Sequence, residues 1–184
     1  MLLAALAIAL IILVIVKNRR ICLPSAEGKI CVVRRFENRI DALNLIAEVK
    51  RRNGILLSHR ANDFPRLKRN YNPDKMFEVD PTNLMKFTAY VYDKGKQYGL
   101  CVRQTEDNSP VDINTVMYVD LHELAHLESE EDGHGSEFKL NFRRLLQAAI
   151  VLGLYKPVNY DILNERYCGL DIDQSILYPK SAKN

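Results

Sequence analysis

Three of the four histidines in this chain, His122, His126 and His134, fall within one stretch, HELAHLESEEDGHGSEF, residues 122–138. On a helix, side chains four positions apart stand on one face, so His122 and His126 would present their imidazoles to a common point. A zinc ion bound by nitrogen at about 2.0–2.1 Å requires such a convergence. Glu123 adjoins the first histidine and is rotated from it by about 100° around the helix axis. It could reach a water molecule beside the ion without occupying the ion, which is the mechanical content of an H-E-x-x-H motif. The chemistry served would be zinc-assisted hydrolysis of an amide bond, with one catalytic Zn²⁺ and Glu123 as general base.

Two histidines do not complete such a site, because a catalytic zinc usually has three protein ligands and a water. The remaining histidines are His59 and His134. His134 stands in DGHG, residues 132–135, where glycines on both sides allow a sharp return of the chain. It lies eight residues beyond His126, against six in the pattern HExxHxxGxxH, so the intervening loop must follow a longer path. His59 reads as a surface histidine after the first helix. The acidic run Glu128, Glu130, Glu131 and Asp132 reads as a solvated loop, one member of which could orient a ligand imidazole. Asp112 reads as a helix cap and Asp120 as a surface residue. Cys168 reads as a buried core cysteine rather than a further ligand or a redox gate. Tyr167 is a candidate for stabilising an oxyanion.

These groups need elements to hold them. Ile40, Leu43, Ile46 and Val49 recur at helical spacing, which predicts a helix over 38–53 with Gly54 as its stop. FTAYVYDKGKQYGLCVR, residues 87–103, predicts a β-hairpin turning at Gly95. The H-E-x-x-H segment belongs to a helix starting near Asp112 or Asn114, both good cap types. A third helix follows Ser136, with Phe138, Phe142, Leu145, Leu146 and Ala149 on one face and an end near Gly153 and Pro157. Residues 156–184 show no clear period.

The chain has 184 residues, enough for one domain with a substantial core. Its net charge of +3 is too small to argue for nucleic acid by itself. A basic stretch at 60–69, with Arg66, Lys68 and Arg69 near Phe64, could serve that purpose; a solvated loop or short helix is the commoner meaning of such a run. The four cysteines, Cys22, Cys31, Cys101 and Cys168, form no CxxC pair, so a cysteine-only zinc cluster is excluded as the first choice. Residues 1–16, MLLAALAIALIILVIV, are apolar without exception and are followed by KNRR. A helix of that length spans about 24 Å, slightly short of a hydrocarbon core of about 30 Å. The positive cluster on its C-terminal side predicts a single-pass membrane anchor with the body of the protein on the cytosolic side, or inside a virion. A reducing compartment would then suit four unpaired thiols. The expected division is an anchor with a basic flank at 1–20, a juxtamembrane linker at 21–37, and the catalytic domain at 38–184. No feature sets an oligomeric state.

HELAH with its downstream H-x-x-E-F resembles the WLM and SprT-like zinc metallopeptidases, the family that includes DNA–protein crosslink-repair proteases. VDINT at 111–115, KPVNY at 156–160 and YCG at 167–169 are similar to a compact branch of that family found in large DNA viruses. The resemblance covers roughly residues 38–178. It implies an α+β, minimal zincin-like fold in which a small sheet packs on the H-E-x-x-H helix, here preceded by an N-terminal transmembrane helix. Carried over by position, His122, His126 and His134 are the zinc ligands and Glu123 is the general base. The leading expectation is a membrane-anchored zinc metallopeptidase acting on protein or peptide substrates. The alternatives are a zinc-stabilised, non-enzymatic tethering protein and a crosslink-repair protease that requires DNA. An intact Glu123 favours an enzyme.

Overall fold

The computed structural model describes residues 20–82 and 87–178. It opens on a hairpin, β1 (Arg20–Ser25) and β2 (Gly28–Val33), in which Ile21 and Leu23 alternate inward against exposed neighbours. The segment expected as a juxtamembrane linker therefore holds the first two strands of a sheet. Parallel pairing of β2 with β3 (Met76–Glu78) demands a crossover, and helix α1 (Arg39–Arg60) supplies it together with the short α2 (Pro65–Asn70). The hairpin β4 (Ala89–Tyr92) and β5 (Gln97–Leu100) forms as its sequence suggests and completes a five-stranded sheet of order β1-β2-β3-β5-β4. β3 and β5 are parallel and the two outer pairs antiparallel, which leaves β4 on an edge. In the β4–β5 turn Gly95 has φ +96°, and a Cβ there would stand 2.3 Å from the Asn70 carbonyl oxygen, so only glycine fits.

Helix α1 does not stop at Gly54. It continues for another turn and a half because Leu56 is buried beyond it, and that burial outweighs a glycine penalty of about 1 kcal/mol. Its inner face places Ala42, Ile46 and Val49 in the core with Ile30, Val32 and Leu100. Helices α3 (Ile113–Glu128) and α4 (Ser136–Val151) lie where the periodicity put them. Asp112 caps α3, its carboxylate accepting from the Asn114 amide at 2.8 Å and the Thr115 amide at 3.3 Å. Asp112→Ala should therefore lower stability by about 1 kcal/mol in a denaturant titration and leave the histidine site in place. After α4 a small hairpin, β6 (Glu165–Tyr167) and β7 (Leu170–Ile172), forms in the tail that carries no sequence period.

One interior feature is ionic. Glu78 and Arg103, both essentially inaccessible, pair with one another. Glu78 also accepts from the Val33 amide at 2.6 Å, and Arg103 donates to the Asn38 carbonyl at 3.1 Å. Burial pushes the Glu78 carboxyl upward, and the Val33 amide and the Arg103 guanidinium oppose that shift. The pair joins β2, β3, the strand exit after β5 and the start of α1.

Two expectations are corrected. Among the described residues no helix is long and apolar enough to cross a membrane. The longest, α1, carries Asp41, Glu48, Lys50, Arg51 and Arg52 along its length. The described fold is α+β and contains no counterpart of the expected N-terminal transmembrane helix; the apolar run 1–16 that carried that expectation lies outside the described residues. No described helix supports the expected single-pass, cytosol-facing placement. Nor are the cysteines unpaired thiols: Cys22–Cys31 bridges the β1–β2 hairpin and Cys101–Cys168 ties the end of β5 to the turn between β6 and β7. Cys22 and Cys31 stand directly opposite one another across the two strands, a placement that sequence spacing alone does not reveal.

Candidate metal centre

Helix α3 presents His122 and His126 one turn apart, with ring centroids 5.1 Å from each other. The loop Ser129–Gly135 then returns His134 to the same point, 4.8 Å from the His122 ring and 5.0 Å from the His126 ring. Gly133, at φ +89°, supplies the reversal. The ligand nitrogens of all three lie within 4.8 Å of one another, and the Nε2 atoms of His122 and His134 are 3.0 Å apart. Nitrogens sharing one tetrahedral zinc at about 2.0–2.1 Å would be about 3.3 Å apart, so the group could hold such an ion with little movement. Burial pushes the His122 imidazole down to about 3, with a further contribution from the neighbouring histidines. Burial, then His134, lowers His126 to about 4. Both rings are neutral at physiological pH and keep a lone pair for a metal, which a protonated ring cannot offer.

Phe138 lies beneath the cluster. Its ring centroid is 4.4 Å from that of His126, 4.7 Å from His134 and 4.8 Å from His122. The helical period placed it on the core face of α4. Its position four residues after His134 is the signal that it would also floor the site.

Glu123 lines the same cleft as His122 and His134 but is not one of the clustered ligands. The side chain is buried, and burial raises its carboxyl to about 8; Asp120 adds to the rise, and a hydrogen bond donated by the Val91 amide of β4 opposes it. A carboxyl so placed holds a proton readily, as a group that receives and returns one must. The cleft itself has a volume of about 920 Å³ and runs from Thr88 and Ala89 past Tyr118 and Phe142 to the segment after β7.

The other candidates separate clearly. His59 ends α1, bonded locally to Ser58 and the Ile55 carbonyl, away from the cluster. Asp120 is not on the surface: it is fully buried, accepts from the Tyr98 hydroxyl at 2.5 Å and from the Asn53 amide at 3.1 Å, and burial raises it to about 7. Glu128 is buried too, taking the Leu67 amide at 2.6 Å, whereas Glu130, Glu131 and Asp132 are exposed. Tyr167 lines the cleft, but its hydroxyl donates to the Cys101 carbonyl at 2.8 Å, so its proton is committed there rather than to an oxyanion. Of the basic stretch, Arg60 pairs with Asp63, and Arg66 with Glu130 and Glu137; these charges serve the fold before any nucleic acid.

The α+β fold has counterparts among solved structures. The fold is similar to that of Wss1 from Saccharomyces cerevisiae, with a TM-score of 0.54 over 66% of this chain and 87% of that one, at 20% identity. At that identity the likeness is one of fold, and it agrees with the WLM-type resemblance of the motifs. No family model matches the sequence. The uncharacterized protein R325 of Acanthamoeba polyphaga mimivirus is 34% identical over 160 residues, covering 82% of this chain and 80% of its own. Shorter matches reach protein 136R of Invertebrate iridescent virus 6, 37% identical over 40% of this chain and 41% of that one. Protein 042R of Invertebrate iridescent virus 3 is 39% identical over 45% and 50%. The chain belongs to the family of the mimivirus protein R325.

Proposed function

We propose that this protein is a zinc-dependent metallopeptidase that hydrolyses amide bonds in proteins or peptides. The observation that carries the reading is the convergence of His122, His126 and His134 beside a buried Glu123 in an open cleft. The likeness of fold to Wss1 and the H-E-x-x-H spacing support it. His122, His126 and His134 would hold the ion. A bound zinc supplies Lewis acidity, polarising a carbonyl and acidifying water. Glu123 takes a proton from the attacking water and returns it to the leaving amine. β4, the edge strand nearest Glu123, offers backbone groups to an extended substrate. β5, its partner in the hairpin, is covered on both sides by β3 and β4.

The test is metal content and cleavage on the full chain. Wild-type protein should carry about one zinc by inductively coupled plasma mass spectrometry, and His134→Ala should lose most of it. Cleavage of an unfolded protein substrate should stop with 1,10-phenanthroline and return with added zinc. A well-folded wild type that takes up no zinc would end the reading. Zinc without cleavage of any protein substrate would instead favour a structural metal and a binding role.

A further inference from the structure

The loop that delivers His134 is longer than in the six-residue spacing, and residues 130–136 are all exposed. Only its His134 ring rests on Phe138, and no buried apolar side chain of its own fixes it. Something polar must, or the third ligand would be ordered only when metal arrives, and the metal's affinity would be reduced by that ordering. The structure shows the ties. The Glu137 carboxylate accepts from the Glu130 amide, at 3.2 Å to one oxygen and 3.1 Å to the other, and from the Glu131 amide at 3.3 Å. Arg66 of α2 reaches across to both ends, donating to Glu137 at 3.3 Å and to Glu130 at 2.7 Å. From the β4–β5 turn, Lys94 donates to the Ser129 and Glu130 carbonyls at 3.3 and 3.2 Å.

We infer that Glu137, held by Arg66, is a positioning residue for the third metal ligand: it fixes the shape of the Ser129–Gly135 loop and so sets the affinity of the site for zinc. The inference rests on the zinc reading above. Glu137 is not among the clustered ligands. It acts through two backbone amides, three and four residues before His134 in the chain. Its location in the first turn of α4 gives it a second, purely local effect on that helix. Arg66, on a different helix, has no such effect on α4 and separates the two roles.

The experiment measures zinc affinity by competition with a chromophoric chelator, using the full chain as wild type, Glu137→Ala, Glu137→Gln and Arg66→Ala. Removal of groups that orient metal ligands weakens affinity by roughly 10- to 100-fold. Glu137→Ala should fall in that range. Glu137→Gln, which keeps one oxygen for the loop amides, should lose less, and Arg66→Ala should also bind more weakly than wild type. Partly exposed ion pairs contribute little to stability, so metal-free Arg66→Ala should melt within about 4 °C of metal-free wild type, too little to account for a tenfold loss of zinc affinity. The visible absorption of the Co²⁺-loaded protein should weaken and shift in Glu137→Ala as His134 gives way to solvent. If wild type binds one zinc and both Glu137→Ala and Arg66→Ala bind it equally well with the same Co²⁺ spectrum, the inference is wrong and the zinc reading stands. If Glu137→Ala fails to fold, Arg66→Ala decides alone: wild-type affinity there overturns the inference. A wild type that binds no zinc removes the zinc reading and the inference together.

Discussion

Glu123→Gln should leave the protein folded and zinc-loaded while lowering the rate of substrate cleavage by about 10²- to 10⁴-fold, the usual share of a positioned general base. The replacement is nearly isosteric. Its side-chain oxygen can still accept from the Val91 amide, so β4 keeps its hold on the residue. Its amide cannot take a proton from water. The three imidazoles that would hold the ion belong to other residues, so metal content should match wild type. The metal-free variant has a second signature. Burial raises the Glu123 carboxyl from 4.5 to about 8, so its contribution to stability is fully present below pH 4.5 and is lost as pH rises through about 8. Glutamine does not titrate, and metal-free Glu123→Gln should gain on metal-free wild type across that interval. Full cleavage by the variant would remove Glu123 as the base. Loss of zinc would show that the carboxylate helps to hold the ion.

The parts of this site that could be read in the sequence are those written at helical spacing. His122 and His126 share a face of α3 because they are four residues apart, and Phe138 and Phe142 share a face of α4 for the same reason. The β4–β5 hairpin was equally legible, since its strand formers flank a glycine turn. Burial was not. Asp120 sits three residues before Glu123 and looks like any helical aspartate; only the placement of Tyr98 and Asn53 makes it an interior acceptor. The β1–β2 hairpin was hidden by Arg20, Pro24 and Lys29, which suggest a basic linker, although Ile21 and Leu23 already alternate in its first strand. Gly54 misled because a propensity is a weak prior, and Leu56 had a core to enter. The grip on the His134 loop comes from Arg66, sixty-four residues before Glu130, a distance no local pattern spans. The two disulfides are long-range or cross-strand pairings of the same kind, invisible until the strands are in register.

The second large effect concerns one of those disulfides. Cys101–Cys168 closes a loop of sequence separation 67, and that loop contains α3, α4 and the whole histidine cluster. By the chain-entropy argument its removal should cost about 4 kcal/mol, against about 2.5 kcal/mol for the separation of nine residues closed by Cys22–Cys31. For a chain of this size 1 kcal/mol moves the melting temperature by about 2–4 °C, so Cys101→Ser/Cys168→Ser should melt roughly 8–16 °C below wild type. The loss should also reach the cleft. Cys168 lies between Tyr167, whose hydroxyl is bonded to the Cys101 carbonyl, and the β7 strand whose Leu170, Asp171 and Ile172 form one wall. That wall supplies no metal ligand, so zinc content should hold while KM rises more than kcat falls. A dithiol reductant, giving two electrons and two protons to the bridge, should lower the melting temperature of wild type toward that of the double variant and leave the double variant's change limited to the smaller share from Cys22–Cys31. Equal melting of oxidised wild type and the Cys101→Ser/Cys168→Ser variant would mean that packing of Tyr167 and the buried chain around it, not the covalent bridge, holds this wall in place.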